Sequence, residues 1–173
     1  RLVEPSVRSL RIVYGDTHPA TLTYIINLGL LLKTMGDLVG AALLYREALD
    51  GRRATLGDTH QKTIASFNSL GTLLKEQGDL AGAEPLLREA LASRRETLGD
   101  RHPDTLTSIH SFGSLLHAQG DLARAKELFD EALTARRETL GDRHPNTLTS
   151  IHALGSLLQD QGDLAGAAPL LRE

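Results

Sequence analysis

One tetrapeptide cuts this chain into equal lengths. Gly-Asp-x-His stands at 15–18, 57–60, 99–102 and 141–144, and each copy follows the one before it by 42 residues. A second mark, Gly-Asp-Leu, keeps the same step from Gly36 to Gly78, Gly120 and Gly162. No residue is inserted or lost between copies. A fixed period of this size means that one supersecondary unit is stacked on itself, because a single unit cannot bury its own apolar face. The marks predict a partial unit over 1–14, repeats over 15–56, 57–98 and 99–140, and a shortened fourth over 141–173.

Between the marks the apolar spacing is helical. Leu22, Ile25, Leu28 and Leu32 step by three, three and four, which places them on one face of a helix opening at Pro19. Pro19, Pro103 and Pro145 suit a first helical turn, where a missing N–H costs nothing. Gly36 suits the position after a helix, and Asp37 suits the N-cap of the next. That next helix is expected to bury Leu38, Ala41, Leu44, Tyr45, Ala48, Leu49 and Leu56 and to stop at Gly57. Each repeat is therefore helix A, a two-residue turn, helix B and a short loop. Helix A has about 17 residues and helix B about 19, roughly 25 and 28 Å long. Nothing alternates with period two, so no strand is expected. Pro85 and Pro169 fall about a turn and a half into helix B and predict a local bend there.

These residues resemble the tetratricopeptide repeat, whose pattern reads W-x2-L-G-x2-Y, then A-x3-F, then P. Here the first repeat has Ile25, Leu28, Gly29 and Leu32, then Ala41, Tyr45 and Ala48. The second has Phe67, Leu70, Gly71, Leu74, Ala83, Leu87 and Ala90; the third has Ile109, Phe112, Gly113, Leu116, Ala125, Phe129 and Ala132. The period departs from the usual 34, and Arg53, Arg95 and Arg137 stand where the closing proline would be. The chain is similar in this to the 42-residue repeats of kinesin light chains. The resemblance implies an all-α, right-handed superhelical solenoid of stacked antiparallel helix pairs. It also implies a non-catalytic scaffold that binds a peptide or protein in its concave groove.

In that fold the groove is lined by helix A positions turned away from the A–B seam. Here they are Asn27, Leu30 and Lys33; Asn68, Ser69, Thr72 and Lys75; His110, Ser111, Ser114 and His117; and His152 and Ser156. Hydroxyls and amides dominate, and these can bond the backbone of an extended peptide. The carboxylate clamp of some tetratricopeptide domains cannot be assembled, because its positions carry Ile26, Asn68, His110 and His152, with Leu30, Thr72, Ser114 and Ser156 one turn on. A receptor for chaperone tails is not expected.

Sharper chemistry finds no support. Cysteine is absent, which removes disulfides, thiol nucleophiles and Cys-based zinc. The loop histidines His18, His60, His102 and His144 belong to stacked repeats, on the order of 20 Å apart for stacked helix pairs, too far to share a zinc that needs ligands at about 2 Å. They read as local caps. His110, His117 and His152 lack a completing carboxylate or thiol, so neither metal nor cofactor is expected, although their titration near neutrality could modulate binding. Arg52-Arg53, Arg94-Arg95 and Arg136-Arg137 read as cations at helix B ends, countering the dipole and pairing with Glu96 or Glu138. Nineteen basic residues against 22 acidic ones argue against nucleic acid as a partner. No uncharged apolar run reaches the roughly 18 residues of a membrane helix, and an intracellular, cytoplasmic location is expected.

Between 99–131 and 141–173, 23 of 33 aligned positions are identical. The stretch 1–14 aligns with 43–56, and 164–173 aligns with 38–47, so both ends fall inside a helix B. This predicts a piece of a longer array, or copies stacking head to tail as a self-assembling structural array. A third reading is the scaffold arm of a larger signalling protein whose chemistry lies elsewhere.

Overall fold

The computed structural model describes residues 4–172, with side chains from Val7 onward. Among the described residues there are nine helices and no strand. They fall into two compact units, residues 1–90 and 91–173. The first holds α1 (Glu4–Tyr14), α2 (Pro19–Thr34), α3 (Leu38–Leu56), α4 (Gln61–Glu76) and the start of α5 (Leu80–Leu98). The second holds the end of α5, then α6 (Pro103–Gln119), α7 (Leu122–Leu140), α8 (Pro145–Asp160) and α9 (Leu164–Leu170). α5 runs through Pro85 as one helix.

The punctuation works as the sequence predicts. After α2 the chain turns left-handed at Gly36, with φ of 85°. The N–H of Gly36 then reaches Lys33 O and that of Asp37 reaches Leu32 O, which satisfies two orphan carbonyls of the helix end. Asp37 caps α3, its Oδ1 accepting from Gly40 N at 2.8 Å. Gly57, with φ of 82°, ends α3. Each loop histidine is the N-cap of the following helix A. His102 Nδ1, for instance, accepts the backbone N–H of Asp104 at 3.1 Å, and His18, His60 and His144 do the same.

In unit 1 the core begins with Val7 of α1 against Leu22 and Ile25 of α2 and Ala48 of α3. Gly29 lets α2 and α3 approach closely, because a Cβ there would lie 2.6 Å from the Tyr45 ring. Unit 2 repeats the arrangement with Gly113 and Phe129. Phe112, Leu115 and Leu116 are buried from α6, and Ala125, Phe129, Ala132 and Leu133 from α7.

Some burial expectations need correction. Leu28 and Leu32 are only half-buried, whereas Leu70 and Leu74, one period on, are buried. In α2 it is Leu22 and Ile25 that join Val7 in the buried cluster; Leu28 packs only at its edge. Leu56 is exposed, since α3 ends beside it at Gly57.

The arginine pairs are the larger correction. Only the second member of each behaves as a surface cation. Arg53, Arg95 and Arg137 pair with Asp58, Asp100 and Asp142 of the following loop, and Arg95 also reaches Glu131. Glu138 pairs instead with Arg101. The first member turns inward and bonds the next helix A. Arg52 Nη1 donates to Lys62 O and Ser66 Oγ; Arg94 Nη1 donates to Asp104 O and Ser108 Oγ. Arg136 Nη1 donates to Asn146 O at 3.0 Å and Ser150 Oγ at 2.6 Å, and its Nη2 reaches Leu106 O. Arg94 and Arg136 are 8% and 4% exposed. Burial pulls all three guanidinium pKa values down, but arginine stays charged from so high a starting value. A charge-assisted latch therefore joins α3, α5 and α7 each to the helix that follows it.

Candidate peptide-binding site

The predicted groove residues fall on the helix A elements, and none of the thirteen side chains is buried. In unit 1, α2 carries Asn27, Leu30 and Lys33, while α4 carries Asn68, Ser69, Thr72 and Lys75. Asn27, Leu30 and Ser69 are exposed; the other four are half-buried. In unit 2, α6 carries His110, Ser111, Ser114 and His117, all half-buried, and α8 carries His152, exposed, and Ser156, half-buried.

Each unit ties its two helix A elements together with the same rung. Lys33 Nζ pairs with Glu76 at 2.8 Å in unit 1. His117 Nε2 meets Asp160 Oδ2 at 2.7 Å in unit 2, an ion pair when the imidazole is protonated. Both rungs join residues 43 apart, so a heptad or helical-face reading of one helix could not reveal them. Glu76 and Asp160 are thus acidic groups at the edge of these faces that the sequence reading passed over. Lys75, beside Glu76, has its pKa lowered by burial, which Glu76 partly offsets and Lys33 reinforces.

The histidines are not all free-standing. His110 lies tilted on Phe129 with ring centroids 5.5 Å apart, and His117 meets the same ring edge-on at 6.4 Å. Phe129 belongs to α7, so both imidazoles sit partly on the seam between helices A and B. Among the described residues, no three His, Cys, Asp or Glu side chains gather at metal-binding distance.

Unit 1 also contains a cleft the sequence reading did not anticipate. Its volume is about 140 Å³, and it is lined by Ile26, Tyr45, Arg52, Ala65, Ser66 and Ser69. Burial raises the Tyr45 pKa, with smaller opposing effects from Lys33 and Glu76. The hint in sequence was Tyr45 itself, since the same position is Leu87 and Phe129 in the next two repeats.

Paired amphipathic helices of 16–17 and 19 residues, joined by the same turns and stacked in sequence, define a helical-repeat protein. The chain belongs to the tetratricopeptide-repeat family: one model of that repeat matches residues 44–96, 62–138 and 104–173, and a second matches 21–62. Two crystal structures of the nearly identical TPR-like repeats of a Podosopora anserina protein assigned as a kinesin light chain are 27% identical. Each is matched over 99% of this chain and 81% of its own, with TM-scores of 0.85 and 0.82. The crystal structure of BtubC (BKLC) from P. vanneervenii shares the fold at 20% identity and a TM-score of 0.84, over 99% of this chain and 68% of that one. No curated protein gives a match. Tetratricopeptide repeats are in general protein-interaction scaffolds, and such proteins are typically not enzymes. Among the described residues, no helix is long and apolar enough to cross a membrane.

Proposed function

We propose that this chain is a non-catalytic scaffold that holds an extended peptide or protein segment on the helix A faces of its repeats. The observation that carries the reading is the split within those helices. One side of α4 and α6 is buried along its length, while on the other side Ser69 is exposed and Ser111 and Ser114 are half-buried, all three small hydroxyl residues. Polar groups on rigid helices suit recognition of peptide backbone, and their small size leaves room for it.

The test is selection of binders from a random extended-peptide library, followed by calorimetry on the whole chain. Ser69→Arg and Ser114→Arg place bulk on the two faces without touching the core. Each is expected to weaken a selected peptide at least tenfold, while leaving the unfolding midpoint unchanged. Peptides that bind both variants as well as the parent would refute the reading.

A specific exposure favours a second role, association with a further repeat. Leu31 is 44% exposed, whereas Leu73, Leu115 and Leu157 at the same repeat position are fully buried. Leu30, Met35, Val39 and Leu43 are exposed in the same repeat, making an apolar surface of the kind that marks interaction sites. Light scattering is expected to give a mass that rises with concentration and falls back in Leu31→Glu. A constant monomer mass removes this role.

A further inference from the structure

The exposed side of α3 differs from that of α5 and α7 at three positions. Val39 and Leu43, one turn apart, are 69% and 65% exposed. Their counterparts are Ala81 and Pro85 in the second repeat and Ala123 and Glu127 in the third. Arg46 follows a turn later on the same side. These three side chains form one wall of an open cleft of about 730 Å³, and Leu74 and Gln77 stand across it. In α5 and α7 this side carries a charge pair within the helix, Glu84 with Arg88 and Lys126 with Asp130. The third difference is Ala42, which stands where those helices have Glu84 and Lys126. Arg46 consequently pairs with no acid among the described residues. Of the acids at the rim, Glu76 is held by Lys33, and Asp79 accepts from Gly82 N.

An aliphatic stripe beside an unmatched cation calls for a partner with an aliphatic stripe and an acid at the same spacing, and α3 carries both. Asp37 is exposed and caps the helix through Oδ1, which leaves Oδ2 for a further donor. Val39 and Leu43 have their midpoint level with residue 41, and Asp37 and Arg46 have theirs half a residue beyond. A half-turn about that level sets Val39 of each copy opposite Leu43 of the other, and Arg46 opposite Asp37. We propose that α3 is the interface of a two-fold dimer of this chain, formed by pairing with α3 of a second copy in antiparallel register. Such a contact uses the same patch on both copies, so it closes at two. It rests on the second reading above, association through the apolar surface of the first repeat, and gives that association its partner and geometry. The exposed ion pairs add little affinity, and their part is to set register and direction. One helix face falls well short of the roughly 800 Å² per partner of a stable complex, so the expected dissociation constant is on the order of 0.1 mM.

The test is sedimentation equilibrium of the whole chain from about 10 µM to about 1 mM, which brackets that constant. The mass is expected to rise and level off at twice that of one chain. Leu43→Glu puts in the residue type of the third repeat, and Ala42→Glu rebuilds with Arg46 the charge pair of α5, so neither puts folding at risk. Each is expected to weaken the dimer about tenfold or more, the first by breaking the stripe and the second by occupying Arg46. Register is read separately. The chain has no cysteine, so Val39→Cys and Leu43→Cys each carry a single thiol. Oxidised together by glutathione disulfide, an equal mixture should give the mixed disulfide about fivefold or more over either symmetric one, because only unlike positions face each other. A mass that passes beyond two copies, a dimer untouched by both glutamate variants, or symmetric disulfides in equal yield would overturn the two-fold pairing and leave association through Leu31 standing. A monomer mass throughout would remove both, and the stripe would then belong to an acid-bearing helix of a different protein.

Discussion

Replacement of Phe129 by alanine is expected to lower the unfolding free energy by about 3–5 kcal/mol, the usual cost of emptying an aromatic site in a core. The ring is 1% exposed. It fills the space in front of Gly113, where an added Cβ would come within 2.9 Å of it, and it carries His110 and His117 on its other sides. Truncation therefore opens a void that a helical backbone on either side cannot collapse into. Phe129→Leu should cost under about 1.5 kcal/mol, because Leu87 occupies the same place opposite Gly71 in unit 1 and is fully buried there. Urea denaturation followed by circular dichroism gives both numbers, and native-state hydrogen exchange shows whether the loss is confined to α6 and α7. A cost below about 1 kcal/mol for the alanine variant would mean that the two helices do close on the gap, contrary to the general cavity argument.

The fold was legible because the sequence repeats its punctuation as well as its apolar residues. Gly36 and Asp37 serve as helix stop and next N-cap through chemistry local to two residues, so no tertiary knowledge was needed to place them. The histidine caps were legible for the same reason: an acceptor two residues before the amide it serves is a local matter. What escaped was non-local. Arg52 and Ser66 are fourteen residues apart on different helices, and a guanidinium in sequence looks the same whether it faces water or a backbone carbonyl. The Lys33–Glu76 and His117–Asp160 rungs are more distant still. Burial was misread at Leu28 and Leu32, half-buried where Leu70 and Leu74 are buried, because periodicity assigns every copy the same surroundings. For the candidate groove, the sequence names residues on helix A and does not locate the cleft. The cleft depends on Tyr45 and Arg52 reaching forward from helix B, and reach is a property of rotamers.

Arg136→Ala is expected to cost about 3 kcal/mol, because it empties a buried site and removes the donor to Asn146 O, Ser150 Oγ and Leu106 O, the last two of these bonds being buried. The chain itself supplies the compensating change. Forty-two residues before Arg52 stands Leu10, and forty-two before Ser66 stands Tyr24, so the one junction that lacks the arginine also lacks the serine. Leu10 and Tyr24 are half-buried, and Tyr24 packs on the cluster of Val7, Leu22, Ile25 and Ala48. There an apolar leucine and a tyrosine stand in place of the charged, hydrogen-bonded pair. Exchanging both partners of a buried polar contact is far less costly than removing one. Arg136→Leu alone should therefore be nearly as damaging as the alanine variant, and Ser150→Tyr alone should clash with the guanidinium. The double variant is expected to recover at least half of the loss, with a coupling of about 1–2 kcal/mol in a double-mutant cycle. Strict additivity would show that the two positions do not form one junction, and the latch would then be a set of contacts with no shared energetic role. Recovery would establish that these repeats are joined by either of two interchangeable chemistries, one of which the remaining junctions keep because it fixes the register of a helix end through backbone carbonyls.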